Sequence, residues 1–435
     1  MADRSAERTA ALTARAAACS EGGVDVPQHP PEPIAGRGMS RGLILLFAVA
    51  TGQAVASNYL AQPLLDTLRD QFGVTAAVAG LIVTTAQIGY AAGLILLLPL
   101  GDLLERRRLI TTLAAVTVAG LAAAAVAPSI GFFVAAAAVV GLTSVMAQVL
   151  VPFAATLASE SERGRVVGDV MSGLILGILL ARTFSGLVSQ AAGWRTVYAV
   201  AAALMLVQAV VLYVKLPRYR QSAGLAYPRL LASILDIARG EPVLRRRALY
   251  GVFSFATFSV LWSTLAFLLA GPHFGYGDGI IGLFGLVGAA GALTASVVGR
   301  YTDRGWTYWL TGGSCLLMLA GFGALWLGRE SLPLLLLGIV VLDVGSQGVH
   351  ISNQSEIYRL RPEARNRINA FYMTSCFAGA AAGSAAAAFA YGTWGWAGAC
   401  ALGGLVSLAS VVRWVTDRQR PPAQREPFCE ADPPA

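Results

Sequence analysis

The chain has 435 residues, of which 56% are hydrophobic and only 13% are charged, and its mean hydropathy is +0.63. An average soluble domain carries roughly 25% charged residues, so this composition excludes a soluble globular protein and indicates a chain that has lipid as its solvent. The net charge is +8, and the positive charge comes almost entirely from arginine, because Lys215 is the single lysine. That lysine lies outside any Gly-Lys-Ser/Thr loop, so we expect no intrinsic ATPase. The excess of arginine resembles a GC-rich codon bias, so we do not expect nucleic-acid binding from the positive charge.

In chain order, residues 1–40 are rich in Ala, Pro and Arg and contain no apolar core, which predicts a disordered cytoplasmic tail. Twelve apolar segments follow, each near the roughly 20 residues that a helix needs to cross a bilayer. They lie at about 42–64, 78–100, 109–128, 131–157, 166–190, 195–215, 248–270, 279–299, 308–328, 332–356, 368–391 and 396–416. The predicted fold class is an all-α membrane protein with twelve transmembrane helices. The stretch 417–435 is a second polar tail.

Positive charge predicts the orientation of these spans. Loops on one side, counted with both tails, hold 28 of the 32 Lys and Arg residues, whereas the other side holds only Arg69, Arg195 and Arg329. By the positive-inside rule, both termini are expected in the cytoplasm and the chain in the inner membrane.

The two parts of the chain resemble each other at a fixed offset of 202 residues. Gly193-Trp194 coincides with Gly395-Trp396, and Ser-Glu-Arg-Gly-Arg at 161–165 coincides with Glu-Ala-Arg-Asn-Arg at 363–367. Such a repeat predicts two six-helix halves, 41–215 and 246–416, joined by a cytoplasmic central loop at 216–245. The apolar stripe through Leu230, Ile234 and Ile237 in that loop fits either an amphipathic helix on the membrane surface or a linker with one helical turn.

The loop after the second span carries a motif. Leu98-Pro-Leu-Gly-Asp-Leu-Leu-Glu-Arg-Arg-Arg108 resembles the loop signature Gly-x-Leu-x-Asp-Arg-x-Gly-Arg-Arg of the major facilitator superfamily. Asp102 matches the acid of that signature, and Arg106 and Arg107 match its basic pair. A degenerate copy after the eighth span contains Asp303 and Arg304. This resemblance implies a 6+6 transporter that works by alternating access.

Charges near these loops are candidates for a conformational latch. A carboxylate such as Asp102 is favoured near the positive end of a neighbouring helix, and the arginine cluster can pair with acids such as Glu160 or Glu162. The predicted latch residues are Asp102, Arg106, Arg107, Glu162, Asp169, Asp303 and Arg304. The alternative is that Arg106 to Arg108 only set the topology.

Shorter stretches narrow the resemblance. Ala61-Gln-Pro-Leu-Leu65, Gly193-Trp-Arg195 and Tyr372-Met-Thr374 resemble bacterial efflux members that export sugars or drugs. In the fifth span, Gly173 and Gly177 match the antiporter signature Gly-x-x-x-Gly-Pro-x-x-Gly-Gly, but Ile178 replaces the proline and Ala181-Arg182 replaces the final glycine pair.

The tenth span carries a polar stripe. Asp343 is followed at +4, +7 and +11 by Gln347, His350 and Gln354, which lie on one helical face. Exposure of an acid and an imidazole to lipid costs free energy, so this face is expected to line a cavity. In the functional interpretation, Asp343 exchanges protons, His350 relays them and the glutamines bind solute. The alternative is a hydrogen-bond network between helices.

Polar groups in other spans add to this site. Arg182 in the fifth span either binds an anionic solute group, neutralises Asp343 or extends to the lipid headgroups. Gln53, Asn58 and Gln62 are further candidates in the first span. The aromatic residues of the seventh span, among them Phe258 and Trp262, suit an amphiphilic solute and helix packing equally.

The expected function is proton-driven export of a small organic solute. The same architecture permits import by symport or uniport, and a membrane enzyme or sensor is the remaining alternative. The chain has no HExxH or GxSxG motif, and its five cysteines have no CxxC spacing. We therefore expect no enzymatic activity, no catalytic residue, no cofactor and no metal; the expected partners are the lipid bilayer, the solute and protons.

Overall fold

The computed structural model describes residues 39–220, 226–288, 298, 301–302, 306–361 and 364–417. Within those ranges the regular elements are helices and no strand is found, in agreement with the predicted all-α class. The α-helices are α1 (Arg41–Ala56), α2 (Leu65–Phe72), α3 (Ala76–Leu96), α4 (Arg106–Ala125), α5 (Ile130–Ser144), α6 (Met146–Leu157), α7 (Arg163–Ala192), α8 (Trp194–Lys215), α9 (Tyr227–Gly240), α10 (Pro242–Ala270), α11 (Asp278–Val287), α12 (Thr307–Leu327), α13 (Leu332–Ile357) and α14 (Arg365–Asp417).

Local sequence sets where several of these helices begin and end. The hydroxyls of Ser40, Thr75 and Ser129 accept hydrogen bonds from the backbone three residues on, which caps α1, α3 and α5. Gly73 ends α2 with a φ of 62°, a left-handed conformation that glycine adopts without steric cost. These signals explain why short loops separate the apolar segments.

The membrane-crossing elements agree with most of the predicted spans. Nine helical segments of the described residues are long and apolar enough to cross a bilayer, and α1 and α11 are shorter apolar helices. One of the nine, α14, contains 53 residues but is interrupted at Gly395, with φ 61° and ψ −152°. A continuous helix of 53 residues would be about 80 Å long, more than twice the roughly 30 Å thickness of the hydrocarbon core. The break at Gly395 therefore separates the predicted eleventh and twelfth spans. The count of twelve remains a prediction.

Two elements differ from the expected bounds. The first span does not continue as one helix to 64, because α1 ends at Ala56 and a 3-10 turn follows at Gln62–Leu64. Pro63 in that turn has no N–H to donate, which disfavours a continuous helix. In the central loop, α9 is a helix of 14 residues, more than a single turn, and α10 begins at Pro242.

The apolar stripe of α9 is covered by protein. Leu230, Ile234 and Ile237 are buried, and Leu230 and Ile234 border a small cavity together with Asp102 and Arg367. This stripe therefore packs on the helix ends that we predict to be cytoplasmic, whereas the membrane-surface interpretation expected it to face lipid headgroups.

Close backbone contacts join three helices along what we call the glycine seam, formed by Gly52, Gly173, Gly177, Gly186 and Gly282. A Cβ atom on Gly177 would overlap the backbone of Gly52, and one on Gly173 would overlap the backbone of Ala48. On the other side of α7, Gly186 lies against the backbone of α11. Small residues let membrane helices approach this closely, so α7 contacts α1 on one side and α11 on the other.

Candidate functional site

Arg182 is the centre of a polar site inside the helix bundle. It lies on α7 and is only 2% exposed. Its Nε donates a 2.7 Å hydrogen bond to Oε1 of Gln62, which precedes α2. Burial on this scale rules out the interpretation in which Arg182 extends to the lipid headgroups. A buried guanidinium requires partners that compensate for the loss of water.

Aromatic rings supply much of that compensation. The guanidinium carbon of Arg182 lies 3.8 Å from the ring centroid of Trp262, 5.2 Å from that of Tyr59 and 5.7 Å from that of Phe258. We call these three rings the aromatic cage. Tyr59 follows α1, whereas Phe258 and Trp262 lie on α10, so residues from both parts of the chain build the cage around one cation.

Asp343 faces this site from α13. It is 4% exposed, and its charge interacts with that of Arg182. Among the described residues no ion pair within 4.0 Å joins the two side chains. Buried Oδ1 of Asp343, Nη2 of Arg182 and Nε1 of Trp262 form no hydrogen bond of ordinary geometry, and Trp262 is the nearby donor that interacts with the Asp343 carboxylate. The site thus holds two buried donors and one buried acceptor that are available for further hydrogen bonds.

Glycines of α11 bring the acid and the arginine together. A Cβ placed on Gly288 would lie 2.8 Å from Oδ2 of Asp343, and one on Gly285 would lie 2.7 Å from Cβ of Arg182. Both charged residues therefore contact the same glycine-lined face, without a side chain of α11 between them.

The polar stripe of α13 is divided between two environments. His350 Nδ1 lies 3.0 Å from the hydroxyl of Tyr372, and Asn353 donates a 3.3 Å hydrogen bond to the same hydroxyl. The ring of Phe255 packs 5.4 Å from the imidazole. Gln347 and Gln354 are half-buried. His350 is therefore part of a contact between α13 and α14, while Asp343 faces the aromatic cage.

The candidates of the first span also separate. Gln62 belongs to the central site, but Asn58 borders a small cavity together with Tyr198. Gln53 borders a different groove of about 1100 Å³, which Arg165 and Asp169 also line. Of the residues expected along this span, only Gln62 contacts Arg182.

A second set of polar contacts connects α3 with α10 and α14. The amide of Gln87 donates to Ser259 at 3.0 Å, and Ser384 bonds both Thr84 at 3.1 Å and Ser263 at 3.0 Å. These contacts join segments that are more than 100 residues apart in the sequence.

The predicted latch residues occupy the end of the bundle that we expect to be cytoplasmic. Asp102, Arg106 and Arg367 border one cavity of about 50 Å³, and the charge of Asp102 interacts with both arginines. Arg106 also donates to Thr156 at 3.2 Å. Asp102 thereby faces the first turn of α14, which lies in the other half of the chain.

The remaining latch residues are placed differently. Arg107 lies 4.6 Å from the ring centroid of Tyr213, and Glu162 forms a 3.2 Å ion pair with Arg165. Asp169 lines the large groove. Asp303 and Arg304 lie outside the described residues.

A contact at the opposite end of the bundle was missed by the sequence analysis. The carboxylate of Asp278, in the first turn of α11, accepts hydrogen bonds from Thr67 at 2.6 Å and from Ser189 at 2.5 Å. The only sequence signal was an acid at the start of a helix, which by itself indicates no more than a favourable helix terminus.

Comparisons with known proteins agree with this architecture. A family model described as Major Facilitator Superfamily matches residues 47–357. The chain is 51% identical over 376 residues to the putative uncharacterized transporter YgaY of Escherichia coli (strain K12), a match that covers 86% of this chain and 95% of that protein.

Solved structures are similar in fold. The nucleoside transporter NupG aligns with a TM-score of 0.71 at 13% identity, over 86% of this chain and 99% of that one. A bacterial homologue of the human lysosomal transporter Spinster, inward-facing and unoccupied, aligns with a TM-score of 0.69 at 14% identity, over 89% of this chain and 96% of that one.

Proposed function

The chain belongs to the Major Facilitator Superfamily and is a multi-pass membrane transporter of small solutes, and from that premise we propose that it exports a small organic solute by proton-driven alternating access. Proton exchange is assigned to Asp343, and Arg182 is its electrostatic partner. Such a protein needs no cofactor, because the proton gradient supplies the energy.

The observation that carries the proposal is the position of Asp343 and Arg182 in opposite halves of the chain. Both side chains are buried, and the aromatic cage that surrounds Arg182 takes residues from both halves. In this fold the halves move relative to each other around a central site. Any motion that opens the bundle therefore changes the distance between the acid and the arginine.

Protonation of Asp343 would alter the energy of that motion. An ionised Asp343 attracts Arg182, and this attraction is stronger at a buried site than between charges exposed to water. A protonated Asp343 loses this attraction. The unpaired Nη2 of Arg182 and Nε1 of Trp262 are the donors that an ionised carboxylate would draw toward itself.

Other polar residues receive secondary roles in this proposal. Gln347 and Gln354 continue the polar face of α13 and would bind solute on its path. The hydrogen-bond contact between His350 and Tyr372 favours a role in positioning α13 over a role in relaying protons.

Charge at the helix ends supports the proposed orientation in the inner membrane. Arg106, Arg163 and Arg245 begin or flank helices at the end of the bundle where Arg41 starts α1. By the positive-inside rule, this distribution supports a cytoplasmic location for that end and for both termini. Export as the direction is supported by the sequence resemblance to efflux members.

Solute-triggered proton movement in proteoliposomes tests the proposal. Vesicles that contain a pH-sensitive dye would receive a panel of sugars, organic cations and organic anions. We expect at least one solute to change the internal pH with wild-type protein, and Asp343→Asn to abolish this response while radiolabelled solute exchange persists.

The matched control is Asp236→Asn, because Asp236 is an exposed acid on α9. An unchanged proton response in Asp343→Asn would remove Asp343 from coupling. Exchange without proton movement in the wild type would establish a uniporter or another coupling ion. Solute entry along an inward proton gradient would establish import.

A further inference from the structure

The aromatic cage has the chemistry of a site for organic cations. We propose that the transported solute is an aromatic or alkylated organic cation that takes the place of the Arg182 guanidinium in the cage and pairs with Asp343. This inference rests on the proposed function, because it names the solute class of the same site. The faces of aromatic rings carry negative potential, so a cage of three rings attracts cations and repels anions.

The guanidinium of Arg182 occupies the aromatic cage, and a solute can displace it. Its side chain is long, its Nη2 has no hydrogen-bond partner, and Nε is held by Gln62. Stacking at 3.8 Å on Trp262 is the closest of its ring contacts. The backbone of α7 is fixed by the glycine seam, so only the side chain has to move when a solute displaces it.

Asp343 supplies the counter-charge for the solute. Its Oδ1 is buried and forms no hydrogen bond of ordinary geometry, and Gly285 and Gly288, at the end of α11, bring no side chain between this carboxylate and Arg182. A cation in the cage would therefore meet a carboxylate acceptor without the removal of an existing hydrogen bond from Oδ1.

Charge balance makes the solute cation and the proton interchangeable. With Asp343 protonated, Arg182 gives the site one positive charge. With Asp343 ionised and a monovalent cation bound, the sum is again one positive charge. Binding of the cation therefore requires release of the proton from Asp343, and protonation of Asp343 requires release of the cation. This is the condition for one-for-one antiport. An anion would show the opposite linkage and take up a proton when it binds.

The cage also opens when the halves separate. Tyr59 belongs to the first half, whereas Phe258 and Trp262 belong to the second. Motion that parts the halves therefore removes one wall of the cage and weakens its hold on the cation, which permits release on the side that opens.

Equilibrium binding to purified full-length protein tests this assignment with two ions of matched size and shape, tetraphenylphosphonium and tetraphenylborate. We expect the cation to bind and to release a proton into weakly buffered solution. Arg182→Gln should tighten cation binding by about tenfold, because it vacates the cage and removes a like charge, and Trp262→Leu should weaken it by about tenfold.

The control variant is Arg195→Gln, since Arg195 stacks on Trp194 at 4.2 Å outside the site. It should leave the affinity for either ion unchanged. Trp262→Phe, which keeps a ring, should give an intermediate affinity and shows whether Trp262→Leu acts through the ring or through the fold.

Several results would overturn the assignment. The assignment fails if tetraphenylborate binds more tightly than tetraphenylphosphonium, or if tetraphenylborate binding is lost in Arg182→Gln. It also fails if Arg182→Gln binds the cation more weakly than wild type, or if neither ion binds. Proton-coupled flux of a neutral or anionic solute in the vesicle assay would then leave the proposed function standing and refute only the solute class. Cation binding with the expected mutant pattern but without proton flux would refute the coupling and keep the site.

Discussion

The hydroxyl of Thr67 donates a 2.6 Å hydrogen bond to the carboxylate of Asp278, and this bond joins the two halves of the chain at the end of the bundle remote from Asp102. Ser189 donates to the other carboxylate oxygen at 2.5 Å. Hydrogen bonds to charged groups contribute about 1.5–3 kcal/mol each. Asp278 is therefore placed to hold this end closed.

Asp278→Ala is expected to shift the protein toward conformations that are open at this end. Asp278→Ala removes both hydrogen bonds, and a loss of about 3–6 kcal/mol corresponds to a rise of roughly 100-fold or more in the open population. The measurement is the labelling rate of Leu60→Cys by a membrane-impermeant thiol reagent, since Leu60 is buried and its carbonyl accepts a hydrogen bond from Ser185, one turn of α7 before Ser189.

Asp70→Ala is the matched control, because Asp70 is exposed on α2 and pairs with Arg69. Equal labelling rates in Asp278→Ala and in wild type would show that the contact does not hold this end closed.

At the other end, Asp102→Asn is expected to slow turnover about tenfold while the solute affinity stays near normal. The carboxylate interacts with Arg106 in its own half and with Arg367 in the other half, and loss of its charge weakens the arrangement in which both arginines surround it. Transport kinetics in proteoliposomes separate the maximal rate from KM. A wild-type rate would leave Arg106 and Arg107 with a role in topology alone.

The glycine seam predicts opposite outcomes for two glycine-to-alanine changes. Gly177→Ala places a methyl group on the backbone of Gly52, and such overpacking typically destabilises by about 1–3 kcal/mol. Gly313→Ala lies in α12 with open space around it and should stabilise by about 0.5–1 kcal/mol through helix propensity. Thermal unfolding in detergent measures both, and a melting temperature of Gly177→Ala at or above that of wild type would contradict the seam.

Burial raises the pKa of the Asp66 carboxyl, and the nearby acids Asp70 and Asp278 act in the same direction, while the Arg69 guanidinium at 2.7 Å offsets only part of the effect. The folded state thus binds this proton more tightly than the unfolded state. The stabilisation from protonated Asp66 is fully present below pH 3.8, the ordinary pKa of this carboxyl, and is lost as the pH rises through the raised pKa of the folded state.

Asp66→Asn should therefore reduce the fall in melting temperature between pH 4 and pH 7, with Asp236→Asn as the exposed control. An identical pH dependence in Asp66→Asn and wild type would show that the Asp66 proton is not linked to folding.

The expected orientation is tested by cysteine labelling in the tails. In a background with Cys19→Ser and Cys429→Ser, the variants Ser5→Cys and Arg425→Cys should react with an impermeant reagent only after cells are permeabilised. Labelling of either position in intact cells would overturn the cytoplasmic placement of that terminus.

Hydropathy and loop chemistry were enough to predict most of the helices. Apolar stretches of membrane length reappear as α3, α4, α7, α8, α10, α12 and α13, because a helix in lipid must satisfy its backbone internally. Pro63 sets a local break inside the predicted first span, which hydropathy averages over, whereas the break at Gly395 falls between two predicted spans. The stripe of α9 fits a surface helix or a linker in sequence, and neither interpretation predicts that protein covers it, because an amphipathic pattern does not distinguish a lipid surface from a protein surface.

The central site was only partly predictable. The sequence indicated Asp343 and Arg182 as residues that need partners, since buried charge is costly. It could not choose Trp262, Tyr59 and Gln62 as neighbours of Arg182, because the facing sides of distant helices depend on packing angles. Helical spacing grouped His350 with Asp343, but these two residues are about 10 Å apart along the helix axis and lie in two different environments. Asp278 gave no signal beyond an acid at a helix start, because its hydrogen-bond donors Thr67 and Ser189 lie far away in the sequence.

The glycine seam also limits how this protein can change over generations. Every amino-acid replacement of glycine adds at least a Cβ, and at Gly52, Gly173, Gly177, Gly186 and Gly282 that atom meets the backbone of another helix. No accompanying side-chain change on the partner helix can remove a backbone atom. In a saturation-mutagenesis selection for transport, these five codons should be depleted of every substitution, while Gly313, Gly323 and Gly404, which have open space around them, accumulate alanine freely.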